Sequence, residues 1–155
     1  MPSLKYAHIE SERRFLVASI PEGVVKQSDI GDCYIVGTGL RLREMTTEGA
    51  TVRKLGQKVR LEEGPRRIAH TTMYLTEPEW NALSALPANR LHKIRHHVER
   101  DGLAFAVDQH DDGTLVAEFD GGEELPADPP AWLEVLREVT DDENFTGGHL
   151  ALAQK

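Results

Sequence analysis

A two-residue rhythm of charge constrains this chain more than any other feature. Side chains on a β-strand alternate between two faces, and segment after segment puts charges on one face and apolar groups on the other. In residues 8–17, Glu10, Glu12 and Arg14 share a face opposite Ile9 and Phe15. Arg41 and Arg43 lie opposite Leu40 and Leu42, and Lys58 and Arg60 lie opposite Val59 and Leu61. Asp108 shares a face with His110 opposite Phe105 and Val107, and Glu118 shares one with Asp120 opposite Phe119. Lys93 and Arg95 join the set if residues 91–98 are extended.

Two arrangements satisfy this pattern: a series of solvated outer faces, or one polar interior that all the strands share. Each cationic strand carries two cations and no compensating anion, so several brought together would concentrate a positive field. The carboxylates come in i,i+2 pairs that can bind one divalent cation jointly. Cations beside a metal-binding carboxylate set are what a polyphosphate needs.

Turn chemistry divides the chain into short elements. Strands are expected at 8–17, 33–36, 39–44, 51–61, 66–75, 103–110 and 114–120, with turn signals at Glu62-Glu63-Gly64-Pro65 and Asp111-Asp112-Gly113. Thr76 and Glu79 form a capping-box pattern, and Trp80, Leu83 and Leu86 make one apolar helical stripe that Pro87 ends. Asp128 can cap a short helix from Pro129 to about Arg137, and another is expected from His149. About eight short strands with few helices predict a mainly β (α+β) fold: an antiparallel eight-stranded barrel or tunnel with flanking helices, in a single domain over residues 1–155.

Residues 91–99 fit either a strand or a helix. As a helix, His92 and His96 would form an i,i+4 pair suited to Zn2+; as a strand, both point away from Lys93, Arg95 and His97. Trp80 and Trp132 read as core anchors of their helices. Cys33 is the only cysteine, and Gly31, Asp32 and Tyr34 offer it no activating cation, so it reads as a small buried hydrophobe. The net charge of −8 argues against general nucleic-acid binding without excluding a local basic site. No apolar run approaches the ~20 residues a membrane helix needs. The N-terminal Met1-Pro2-Ser3-Leu4-Lys5 lacks a signal-peptide core, and a cytoplasmic location is expected.

The ordered set of segments resembles the CYTH, or triphosphate tunnel metalloenzyme, superfamily, as a divergent bacterial-type member. Glu10-Ser11-Glu12-Arg13-Arg14 is similar to its N-terminal Glu-x-Glu-x-Lys signature, and Leu40-Arg41-Leu42-Arg43 to its paired-arginine strand. Gln57-Lys58-Val59-Arg60 resembles its lysine strand, Lys93-Ile94-Arg95 its Lys-x-Arg strand and Val107-Asp108 its Val-Asp element. Ala117-Glu118-Phe119-Asp120 resembles its Ala-Glu-x-Glu strand, and Glu138-Val139-Thr140 its C-terminal Glu-Val-Thr segment. The resemblance favours the strand for residues 91–98.

The resemblance implies a charged tunnel in which Arg14, Arg41, Arg43, Lys58, Arg60, Lys93 and Arg95 bind a triphosphate. It implies that Glu10, Glu12, Glu118 and Asp120 hold Mg2+ or Mn2+; one of these carboxylates, Glu12 among them, or Glu138 is expected to orient the attacking water. The expected activity is metal-dependent hydrolysis of inorganic tripolyphosphate or an organic triphosphate. The expected partner is thus a triphosphate-containing small molecule, not a membrane, and the chain could act as a homodimer. A non-catalytic polyphosphate or nucleotide binder and an adenylate cyclase are the alternatives. Four departures bear on activity, one of them Gly147-Gly148 where the family commonly has an Asn. Arg14 stands where the signature has Lys, and Asp120 where it has a second Glu; residues 70–74, His-Thr-Thr-Met-Tyr, carry no acid on a strand where glutamates are common.

Overall fold

The computed structural model describes residues 4–62 and 64–153. The strands are β1 (His8–Val17), β2 (Val24–Ile35), β3 (Leu40–Thr47), β4 (Ala50–Arg60), β5 (Arg67–Tyr74), β6 (Ala88–Arg100), β7 (Leu103–His110), β8 (Leu115–Asp120) and β9 (Val135–Glu138). Helix α1 spans Glu77–Ser84, a single 3-10 turn covers Glu143–Phe145, and α2 spans Gly147–Ala153.

The strands pair in the order β5-β4-β3-β2-β6-β7-β8-β1, and pairing of β1 with β5 closes an antiparallel eight-stranded barrel. Strand β1 makes the closure by dividing its edges. His8–Ser11 pair with β5 and Glu12–Leu16 with β8. Phe15–Val17 accept β9 on the stretch that β5 leaves open. No backbone edge of β1 is left as a template for another chain along that stretch.

The apolar faces point outward and are covered from outside. Phe15, Val98, Phe105, Val107, Ala117 and Phe119 form one core with Leu133, beneath the segment that follows β8. Phe105 stacks on Phe119 at 4.4 Å, and Phe15 meets Phe119 edge-on at 5.7 Å. On the other side, Cys33, Ile35 and Leu42 are buried beneath Trp80 and Leu83 of α1. The Thr76–Glu79 capping box forms as expected, with both reciprocal bonds present. Fully burying one such side chain is worth about 1.5–3 kcal/mol, so both clusters favour turning the opposite, charged faces inward.

Three expectations need correction. Strand β2 begins at Val24, not at residue 33, because Gln27–Cys33 pair with β6 on one side and Ser28–Tyr34 with β3 on the other. The helix expected over 129–137 is absent; Val135–Glu138 extend as β9 instead, since pairing with β1 outweighs a local capping signal. Trp132 therefore anchors no helix, and packs against Phe105 with the Arg100 guanidinium over its ring. Residues 91–98 lie within β6, with His92 bridging Asp29 and Asp111, His96 bonded to Gln109 and His97 bonded to Ser28. None of the helices among the described residues is long and apolar enough to cross a membrane.

Candidate functional site

Even positions of β1, β2, β4, β5, β7 and β8 and odd positions of β3 and β6 face the barrel interior, which encloses two joined chambers. The inner chamber, about 160 Å³, is lined by Glu10, Glu12, Arg14, Arg41, Arg43, Lys58, Lys93, Arg95, Glu118 and Asp120 among others. The outer chamber, about 310 Å³, shares Glu12, Arg14, Arg41 and Lys58 with it and adds Arg60, Leu40, Ile68 and the start of α2. Ten of the side chains expected at the site from sequence thus border one cavity, and Arg60 sits at its outer part. Glu138 does not. It lies on the outer sheet face in a two-point ion pair with Arg13, at 3.1 and 2.8 Å, because β9 pairs outside the closed barrel.

The interior charges are segregated. Arg41 and Arg43 on β3, Lys58 on β4 and Lys93 and Arg95 on β6 form a cationic wall, while Glu10 and Glu12 on β1 and Glu118 and Asp120 on β8 form an acidic one. Two buried aspartates hold the cationic wall together. Arg43 donates to both oxygens of Asp32, at 2.8 and 2.9 Å. Asp108 accepts from Lys93 at 2.8 Å and from Arg95 at 2.8 and 2.9 Å. Burial disfavours the Asp108 charge, but Lys93 and Arg95 outweigh it and hold the carboxyl well below its usual range. Without such counterions, adjacent buried cations would cost several kcal/mol each.

Arg41 is treated differently. It is 9% exposed, its nearest carboxylate oxygen is Asp32 Oδ1 at 4.0 Å, and its Nε has no hydrogen-bond partner among the described residues. Burial lowers its pKa first, and the neighbouring Arg43 lowers it further. A buried guanidinium N–H without an acceptor is costly, and an anion in the cavity would supply one. Gly56 makes room for it: a Cβ there would lie 3.2 Å from Arg41 Nη2 and 3.1 Å from His70 Nε2.

Arg14, the replacement for the signature lysine, spends its fork on the C-terminal segment, donating from Nη1 to the Phe145 carbonyl and from Nη2 to the Thr140 carbonyl, both at 2.9 Å. A lysine could not make both planar contacts. Arg60 likewise meets Glu143 with two bonds of 2.6 and 2.7 Å. These contacts seat the 3-10 turn and α2 over the cavity, where Phe145, Gly147 and Leu150 line the inner chamber. Only glycine fits at position 147, since a Cβ would overlap the Tyr34 hydroxyl.

On the acidic wall, Glu12 pairs in register with Asp120. Glu10 Oε1 lies 3.1 Å from His70 Nδ1, Lys58 Nζ donates to Glu12 at 3.4 Å, and Arg95 donates to Glu118 at 3.3 Å. Asp120 has no such relief: partial loss of hydration, then the charges of Glu12, Glu118 and Glu10, push its pKa up to about 7. The carboxylate oxygens are the hard donors that Mg2+ or Mn2+ prefers, and their mutual repulsion is what a divalent cation would relieve. Among the described residues, however, no three His, Cys, Asp or Glu side chains converge into a metal cage. The donor set therefore fits a hard cation that takes further ligands from water or from a bound phosphate.

Several interior residues escaped the sequence reading: Asp32, Tyr34, Lys54 and His70. Their signal was positional, since each continues the inward parity of its strand, but Gly31-Asp32 reads locally as a turn and a lone His reads as surface. Cys33 is buried as expected. A cation does reach it, with Arg90 Nη1 donating to its Sγ at 2.9 Å, yet burial keeps the thiol pKa raised.

A scan against protein-family profiles finds no match for this chain, nor does a comparison with curated proteins. Solved structures do match. The inorganic triphosphatase NE1496 superposes with a TM-score of 0.58 at 22% identity, covering 92% of this chain and 94% of that one. The PH1819 protein of Pyrococcus horikoshii OT3 gives a TM-score of 0.54 at 16% identity, covering 77% and 79%. The chain thus has the tunnel-barrel fold its motifs resemble.

Proposed function

We propose that this barrel binds the triphosphate group of a small molecule and hydrolyses one of its phosphoanhydride bonds with the help of Mg2+ or Mn2+. The observation that carries this reading is Arg41: a buried guanidinium whose Nε has no hydrogen-bond partner among the described residues, lining one cavity with Arg43, Lys58 and four carboxylates. The triphosphatase of the same fold supports the reading at the level of architecture.

Phosphoryl transfer is largely positioning and neutralisation of charge. Arg41 and Lys58 line both chambers and would hold the chain of phosphates, with the charge of Arg14 beside them and Arg43, Lys93 and Arg95 setting the field deeper in. Glu10, Glu12, Glu118 and Asp120 would hold the metal, which when bound supplies charge neutralisation on the phosphate oxygens. Glu12 borders both chambers and, among the described residues, its side chain is held only by the 3.4 Å contact with Lys58, so it is the carboxylate best placed to orient a water at the terminal phosphorus. That water's oxygen forms the new P–O bond, the bridging P–O bond breaks, and the departing phosphate keeps its electrons beside the cationic wall.

One observation favours the alternative of a non-catalytic binder. Glu10 is engaged by His70, and β5 contributes no acid, which leaves a thinner metal site. Glu12→Gln separates the two readings: an amide keeps the shape and loses the charge. For an enzyme, phosphate release is abolished while metal-free tripolyphosphate binding persists or tightens. For a binder, the wild type has no release to abolish.

A further inference from the structure

Taking the cavity as a triphosphate site, as proposed above, we infer that His110 Nδ1 reads an end phosphoryl group of the substrate inside the inner chamber, together with Arg41 Nε, so that substrates must carry a free terminal phosphate. His110 is 4% exposed, and its Nδ1 has no hydrogen-bond partner among the described residues. It lines the inner chamber and not the outer one. Its register partner across β6–β7 is Lys93. Buried polar atoms are almost always bonded, so an imidazole nitrogen left over in a polar cavity is a ligand contact awaiting its acceptor.

The surroundings specify the kind of acceptor. The neighbouring donors Lys93 and Arg95 are already committed to Asp108. Burial, and after it the Lys93 charge, lowers the His110 pKa and so favours the neutral ring. A neutral Nδ1–H can donate to a phosphate oxygen without adding one more cation to a crowded wall. Phe145 and Leu150 line the inner chamber with His110, whereas Thr38 and Arg60 line only the outer one. A phosphate chain entering from the outer chamber would reach His110 end-first, and any organic group it carries would stay in the outer chamber.

The test uses His110→Ala and His110→Asn in the full chain, with metal-free tripolyphosphate binding by calorimetry, thermal unfolding, and competition by a dinucleoside polyphosphate whose ends are both esterified. Loss of one hydrogen bond to a charged ligand should weaken tripolyphosphate binding about tenfold in His110→Ala, with partial rescue in His110→Asn, whose amide can still donate. Thermal stability should be unchanged or higher, since an unbonded polar group has been removed. The doubly capped compound should fail to compete. The inference is overturned if His110→Ala binds as the wild type does, if it loses affinity and stability together without rescue by Asn, or if the doubly capped compound competes. Binding without hydrolysis in the wild type would count against the enzyme reading alone and leave His110 in place.

Discussion

Asp32 and Arg43 face each other across the β2–β3 pairing and share two hydrogen bonds of 2.8 and 2.9 Å inside the barrel, where Asp32 is 1% exposed. Asp32 Oδ1 also lies 4.0 Å from Arg41 Nε, so the cationic side of the cavity leans on one buried carboxylate. Burial alone would raise the Asp32 pKa, but the Arg43 hydrogen bond and charge outweigh it and bring it down to about 2.

Asp32→Asn should therefore destabilise the fold by about 3–5 kcal/mol, the usual cost of stranding one partner of a buried ion pair. An acid whose pKa falls on folding contributes stability above its unfolded value and loses it as pH drops. Wild-type stability should fall between the ordinary value of 3.8 and about 2, and the variant should lack that part of the acid transition. Chemical unfolding across this pH range checks both statements.

Arg41→Ala should behave in the opposite way. Its Nε satisfies no other group, so stability should change little, while tripolyphosphate binding weakens by about 1.5–3 kcal/mol for a lost charge-assisted bond. Arg43→Ala would also weaken binding, but it strips buried Asp32 of both its hydrogen bonds, leaving only the 4.0 Å contact with Arg41, and should cost stability as well. Calorimetric titration with parallel thermal melts distinguishes the two arginines.

Asp120 gives a second pH signature. Its pKa rises from 3.8 to about 7 on folding. The stability it contributes is complete below 3.8 and is lost as pH climbs through 7. Asp120→Asn should flatten that decline in urea unfolding. Wild-type affinity for Mn2+ should increase between pH 6 and 8, as the carboxyl gives up its proton and becomes a ligand.

Gly147→Ala should displace α2, because the added methyl overlaps the Tyr34 hydroxyl. Faster proteolysis near residue 147 is the expected readout, and Tyr34→Phe should restore protection only in part, since the ring Cζ would still lie 2.8 Å from the added methyl. Unchanged proteolysis would mean that α2 is not seated through this contact.

Much of the barrel was legible because parity is a local property. Alternate positions in 8–17, 39–44, 51–61 and 103–120 announced which side chains share a face, and a closed barrel sends like faces inward. What could not be read was pairing across sequence distance. Nothing near Asp32 says that Arg43 will neutralise it, or that a stretch holding Ser28, Asp29 and Gly31 will be a central strand; both follow from β2 being hydrogen-bonded on each side. Asp128 and Pro129 carry a sound helix-start signal, yet Val135–Glu138 extend because β1 offers them an open edge. That same pairing carries Glu138 to Arg13 on the outside, so Glu138→Gln should leave phosphate release unchanged.

The most direct test of the account is phosphate release from tripolyphosphate by the wild-type chain, with Mg2+, with Mn2+ and with a chelator. The account predicts release with at least one of the two metals, none with the chelator, and none from Glu12→Gln under any condition. A wild-type chain that binds tripolyphosphate by calorimetry but releases no phosphate with either metal would contradict it, and would leave a binding module with a triphosphatase's fold.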